Sequence, residues 1–114
     1  GDGSCFDERA CKELGGDVGD QSCWSPDSCL EAAGIIEDKS CRGKESCKKN
    51  KGHIAAESCR AVGACENNKG PIGNSSCVGL SSCAWNRGEI GSESCRTGSD
   101  DVENGSCELN TGSI

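Results

Sequence analysis

Hydrophobic side chains are sparse along this chain and recur with a fixed period. Val18, Ile36, Ile54, Ile72, Ile90 and Ile114 occupy one position of an 18-residue unit written six times, with six extra residues inside the last copy. The copies run 1–18, 19–36, 37–54, 55–72, 73–90 and 91–114. This β-branched column is the one aliphatic position kept throughout, while most other positions vary freely between acid, base, amide and glycine, as side chains facing water do. A few polar columns are equally regular. Ser4, Ser22, Ser40, Ser58, Ser76 and Ser94 precede the first cysteine of each copy, and Ala or Ser precedes the second. Gly16, Gly34, Gly52, Gly70, Gly88 and Gly112 form an unbroken column, with Asn50, Asn68, Asn86 and Asn110 two residues before it in four copies.

A short fixed period means that each unit packs mainly on its two neighbours, so the expected object is a stack of small layers. Two packed helices with their turns need about 30 residues or more, which excludes an α-solenoid by length. Short extended segments around the Val/Ile column and around each cysteine, broken by the glycine and by polar corners, fit 18 residues. The expected fold is therefore all-β: a small disulfide-stapled parallel β-solenoid of six coils, forming a single repeat domain over 1–114 that fits a segment of a longer array or fibre. Right-handed crossovers are the default, although an 18-residue coil is also the size of a left-handed hexapeptide helix. At about 4.8 Å per coil the core would be about 29 Å long. A rival local reading places a short helix in KESCKKNKG, capped by Gly52 with Ile54 folding back. The glycine column implies either a positive φ or a close backbone approach. The asparagines suit a turn, and stacking would let each amide bond to its copies above and below.

Composition changes the picture twice. With 32% hydrophobic residues, one Phe, no Met or Tyr and 17 glycines, the chain would otherwise read as disordered. Twelve cysteines in 114 residues point the other way, to a disulfide scaffold. Zinc is the competing reading, but structural zinc sites favour cysteines two to four residues apart and often recruit histidine, whereas here five residues separate the cysteines of a copy and His53 stands alone. Pairing within each copy joins Cys5 with Cys11, Cys23 with Cys29, Cys41 with Cys47, Cys59 with Cys65, Cys77 with Cys83 and Cys95 with Cys107. Pairing each second cysteine with the first of the next copy would strand Cys5 and Cys107. Oxidised cysteines at this density imply a secreted or surface location.

The phrases GNSSCVGLSSCAWNRGEI and GDQSCWSPDSC resemble the cysteine-rich tandem repeats, of the form G-x-x-S-C, small-C, N-x-G-x-I, of large secreted or surface proteins in heterokont algae and related protists. Leu14 and Ala32 depart from that pattern in the asparagine column, as does the insertion in the last copy. The resemblance implies an extracellular structural array.

Charge is uneven. The copies carry −3, −3, +3, 0, 0 and −4, for a net −7. In the third copy Lys39, Arg42, Lys44, Lys48, Lys49 and Lys51 form a basic island, a candidate anion site for an acidic polysaccharide or protein. Nucleic acid does not suit an acidic chain without interleaved aromatics. In the insertion, Asp100, Asp101 and Glu103 with Asn104 are a weak Ca²⁺ candidate lacking EF-hand spacing, and no other metal or cofactor is implied. Sequons at Asn74 and Asn104 are candidate glycosylation sites, with Asn104, inside the insertion, the more accessible expectation. Phe6, Trp24 and Arg42 share a column, where Arg42 over Trp24 would make a cation–π contact. One histidine and no nucleophile with an evident base argue against an enzyme. Thr97 and Thr111 are too few for the threonine arrays of ice binders. No segment is long and apolar enough to span a membrane. The leading expectation is a non-enzymatic subunit or segment of an extracellular filament, wall or matrix that self-associates head-to-tail or laterally. The alternative is a secreted binding module for glycans or protein built on the third copy.

Overall fold

The computed structural model of the chain describes residues 3–5, 9–96, 107 and 110–114. Successive copies lie in register, so that residue i faces residue i+18 of the next layer. Each interior layer is tied to the next by eight backbone hydrogen bonds. From the second copy to the third the amides of Cys23, Cys29 and Ala33 donate to Ser40, Ser46 and Asn50, those of Lys39, Glu45, Lys49 and Ile54 donate back to Asp20, Pro26, Leu30 and Ile35, and Gly19 N donates to Ile36 O, the last residue of its own copy, where the chain has come round by one layer. The equivalent eight recur between the third and fourth copies and between the fourth and fifth. The molecule measures 30 × 25 × 19 Å, its long dimension close to six spacings of about 4.8 Å.

The local conformation differs from the extended segments expected around the cysteines. Among the described residues there is no helix and no continuous strand. Regular pairing is confined to parallel bridges joining Val18 to Ile36, Ile36 to Ile54, Ile54 to Ile72 and Ile72 to Ile90. The reason is the backbone. All twelve cysteines have φ between 55° and 64°, and in the third copy Lys39, Cys41, Glu45, Cys47 and Lys49 are all left-handed. A non-glycine residue in that region costs about 1–2 kcal/mol, and a strand needs an unbroken run of negative φ. In the third copy these five left-handed residues each donate an amide to a neighbouring layer. With Glu45, Cys47 and Lys49 left-handed, the amides of 45, 47, 49 and 51 point alternately to the layers on either side while those of 46, 48 and 50 bond within the copy, so the interlayer bonds and the bridge within each copy oppose the strain. The same alternation removes the helix considered over KESCKKNKG. Glu45, Cys47 and Lys49 break it, and Gly52 is not among the positive-φ glycines and so does not cap it.

The core is narrow and half polar. Ile36, Ile54, Ile72 and Ile90 and the four interior cysteine pairs are buried, with Ser22, Ser40, Ser58, Ser76, Asn50, Asn68 and Asn86 at 0% exposure. The hydroxyls of Ser22, Ser40, Ser58 and Ser76 bond across layers, while those of Ser28, Ser46 and Ser82 bond to a carbonyl three residues back in their own copy. Ser58 Oγ donates to Gly73 O at 2.7 Å and accepts from Ser76 N at 3.1 Å, and the bonds repeat one layer away at Ser40 and Ser76. The glycine column is there for close approach. A Cβ on Gly34, Gly52 or Gly70 would stand 2.1, 2.2 or 2.0 Å from the carbonyl oxygen of the next glycine in the column.

Candidate functional site

From position 13 to position 18 of the unit, side chains alternate between water and core. Residues 49, 51 and 53 are exposed in the third copy while Asn50, Gly52 and Ile54 are buried, and 85, 87 and 89 repeat the pattern around Asn86 and Ile90. The buried half of this segment is an amide ladder. Nδ2 of Asn68, Asn86 and Asn110 donates to Oδ1 of Asn50, Asn68 and Asn86 at 2.7, 2.8 and 2.8 Å, and each Nδ2 also donates to the glycine carbonyl two residues on. The ladder begins at Asn50, because Leu14 and Ala32 hold the column in the first two copies.

The exposed half is a basic strip. Lys51, Lys69 and Arg87 occupy successive rungs, set by their amides donating to Asn68, Asn86 and Asn110 at 2.8, 2.7 and 2.7 Å. Two positions before them run Lys49, Asn67 and Trp85, of which Trp85 is 51% exposed. Ion pairs among the described residues join Arg9 to Asp27, Lys48 to Glu45 and His53 to Glu37, and none of them engages Lys49, Lys51, Lys69 or Arg87.

The basic island of the third copy is not gathered on one face. Its six cations stand at six different positions of the unit. Arg42 stacks on Trp24, its guanidinium carbon 4.1 Å from the ring centroid, and Trp24 Nε1 donates to Gly3 O at 2.6 Å. Lys48 lies 3.9 Å from Glu45. Arg9 grips Asp27 with two hydrogen bonds of 2.7 and 2.8 Å, which hold the Asp27 carboxyl below the ordinary carboxylate value against the opposing effect of desolvation, with Lys48 and Lys44 adding attraction. Lys39 and Lys44 are exposed elsewhere, and only Lys49 and Lys51 belong to the strip. A search for contiguous charge does not find Lys69, Arg87 and Trp85, because they are distant along the chain. The available signal was the column shared at intervals of one unit.

Beside the strip, Glu37, His53, Pro71, Ile72, Glu89 and Ser92 line an open groove of about 440 Å³, with His53 Nε2 2.5 Å from Glu37 Oε2. Asn74 is exposed, and its carbonyl accepts from Glu93 N at 2.8 Å. Asp100, Asp101, Glu103 and Asn104, and the aromatic ring of Phe6, lie outside the described residues. The bridges join Cys5–Cys11, Cys23–Cys29, Cys41–Cys47, Cys59–Cys65, Cys77–Cys83 and Cys95–Cys107, with no free cysteine. Neighbouring bridges stack closely. The sulfurs of Cys59, Cys65 and Cys77 lie within 4.8 Å of one another, as do those of Cys77, Cys83 and Cys95. These are bridged sulfurs, and metals take thiolates.

Residues 21–114 match the family model described as a domain of unknown function, DUF7640. The chain belongs to this family. No curated protein and no solved structure matches it. The DUF7640 chain is thus a disulfide-rich, cysteine-periodic repeat protein, and six bridges in a chain of this size are typical of extracellular proteins. Among its described residues no helix is long and apolar enough to cross a membrane.

Proposed function

We propose that this DUF7640 chain is a non-catalytic structural repeat of an extracellular filament, wall or matrix, built as a parallel β-solenoid with one coil per 18-residue copy. The observation that carries the reading is the recurrence of the same eight interlayer hydrogen bonds between successive interior copies. A design in which every layer is joined to the next by one repeated set of bonds is indifferent to the number of layers, which suits a protein whose task is length. Each layer also carries its own bridge. In the chain-entropy picture a seven-residue loop gains about 2.4 kcal/mol from closure, and the gain repeats with every copy. The outward positions vary without disturbing the stack, so such an array presents a different surface along its length on one backbone.

The open ends of such a stack carry backbone groups ready to pair with another end, which favours head-to-tail assembly, with lateral packing the other route. Electron microscopy of the protein in its native secretion tests the reading. Filaments or sheets with a repeat of about 4.8 Å along the stack are expected, and uniformly dispersed monomers would refute the assembled form.

A further inference from the structure

We propose that the strip formed by Lys49, Lys51, Lys69, Trp85 and Arg87 binds an anionic polysaccharide, a sugar chain carrying carboxylate or sulfate groups, laid along the stack. Like charges directly opposite one another on adjacent rungs are destabilising, and Lys51, Lys69 and Arg87 are placed so by their own backbone hydrogen bonds. No acidic side chain among the described residues reaches ion-pair distance of these three or of Lys49. Elsewhere Arg9 is matched to Asp27, Lys48 to Glu45 and Arg42 to the face of Trp24, while Lys39 and Lys44 stand in columns that hold no second cation. The strip is therefore a local concentration of uncompensated positive charge on a chain whose net charge is −7.

Shape selects the class of anion. Cations repeated at one rung, about 4.8 Å, match a polymer with regularly spaced charges better than a compact ion. At the end of the strip Trp85, half exposed, offers a flat apolar face next to Arg87, an arrangement that suits the C–H face of a sugar ring beside its charged group. Asn67 between Lys49 and Trp85 adds an amide that can bond to hydroxyls. Glu31, one rung before Lys49, bounds the strip at one end with negative charge, and Glu89, two residues after Arg87, flanks it on one side. A polysaccharide is favoured over nucleic acid because the six bridges belong to an oxidising, extracytoplasmic setting and the strip has a single aromatic rather than a run of stacking platforms. The inference uses the extracellular placement proposed above but not the filament, so loss of binding would leave the assembly reading to its own microscopy test.

The oxidised chain is titrated calorimetrically with polygalacturonate, heparin, neutral dextran and duplex DNA. Binding to polygalacturonate or heparin is expected, weakening as salt rises from about 0.05 to 0.3 M. Polygalacturonate carries carboxylates alone and heparin carboxylates with sulfates, so the two together show whether carboxylate by itself suffices. Dextran should not bind. The pair Lys51→Glu with Lys69→Glu should weaken binding about tenfold or more, whereas Lys39→Glu with Lys44→Glu, an equal change of charge off the strip, should change it by less than about twofold. Trp85→Ala should weaken binding about fivefold with little change in salt dependence. Should the glutamates disturb folding, judged by loss of the six bridges on mapping, Lys51→Gln with Lys69→Gln replaces them. Equal losses from the two charge-reversed pairs, binding to dextran as tight as to the polyanions, no polyanion binding at all, or DNA bound more tightly than either polysaccharide each overturn the proposal.

Discussion

Replacing Asn68 by alanine removes the central member of the amide ladder, and the structure sets the size of the effect. The side chain makes three hydrogen bonds: Nδ2 to Asn50 Oδ1 at 2.7 Å, Nδ2 to Gly70 O at 2.7 Å, and Oδ1 from Asn86 Nδ2 at 2.8 Å. Asn50, Asn68 and Asn86 are all at 0% exposure, and Gly70 is buried with them. Asn50 Oδ1 keeps a bond from Gly52 N at 3.2 Å, so it is not orphaned. One proton of Asn86 Nδ2 and the carbonyl of Gly70 lose the amide that served them. A buried polar group left without a partner costs about 1–3 kcal/mol. Two such groups, with a small cavity added, put the destabilisation at about 3–5 kcal/mol, a large share of the roughly 5–15 kcal/mol typical of a whole domain. At a slope of about 2 kcal/mol per molar urea the unfolding midpoint should fall by about 2 M. Urea titration of the oxidised protein, followed by tryptophan fluorescence, measures this. Hydrogen exchange at the amides of Lys51 and Lys69, whose acceptors are the carbonyls of Asn68 and Asn86, locates it. Exposed Asn74→Ala is the control. A loss below about 1 kcal/mol for Asn68→Ala, or equal to the control, would refute the claim that the amides bond along the stack.

Further outcomes are expected. Gly70→Ala puts a Cβ 2.0 Å from Gly88 O, a backbone atom of the next layer, so it should cost more than about 3 kcal/mol. Gly63→Ala should cost about 1 kcal/mol despite its φ of +69°, because its nearest neighbour is a serine hydroxyl at 3.2 Å and Asp27, Glu45 and Ser81 already adopt that conformation one layer or more away; comparing the two midpoints checks the distinction between approach and conformation. The carboxyl of Asp27 titrates below its ordinary 3.8 in the folded chain, so its pairing with Arg9 stabilises fully above that pH and is lost as pH falls through the folded value; Arg9→Ala should move the titration back up, read by NMR of the Asp27 carboxyl. Limited reduction followed by alkylation should label Cys5, Cys11, Cys95 and Cys107 first, since these are at least partly exposed while the four interior pairs are at 0%; uniform labelling of all twelve would contradict the burial.

The 18-residue period was legible from the chain alone, and with it came the register, because in a stack the neighbour of residue i is residue i+18 whatever path the backbone takes between them. Oxidation was legible from cysteine number and spacing, and the Val/Ile column from its regularity. The column of Lys51, Lys69 and Arg87 was equally open to view, but the contiguous basic run of the third copy stands out first, and the fold sends those sequence neighbours to different faces. Backbone conformation was out of reach. Left-handed φ at cysteine, lysine and glutamate runs against every local preference, and it is held by amides whose acceptors lie in another copy, so no window of adjacent residues contains the cause. The glycine and asparagine columns were each open to two readings, a turn residue or a contact between layers, and the separation between layers decides that the glycine leaves room for a carbonyl and the asparagine bonds with its own copies above and below.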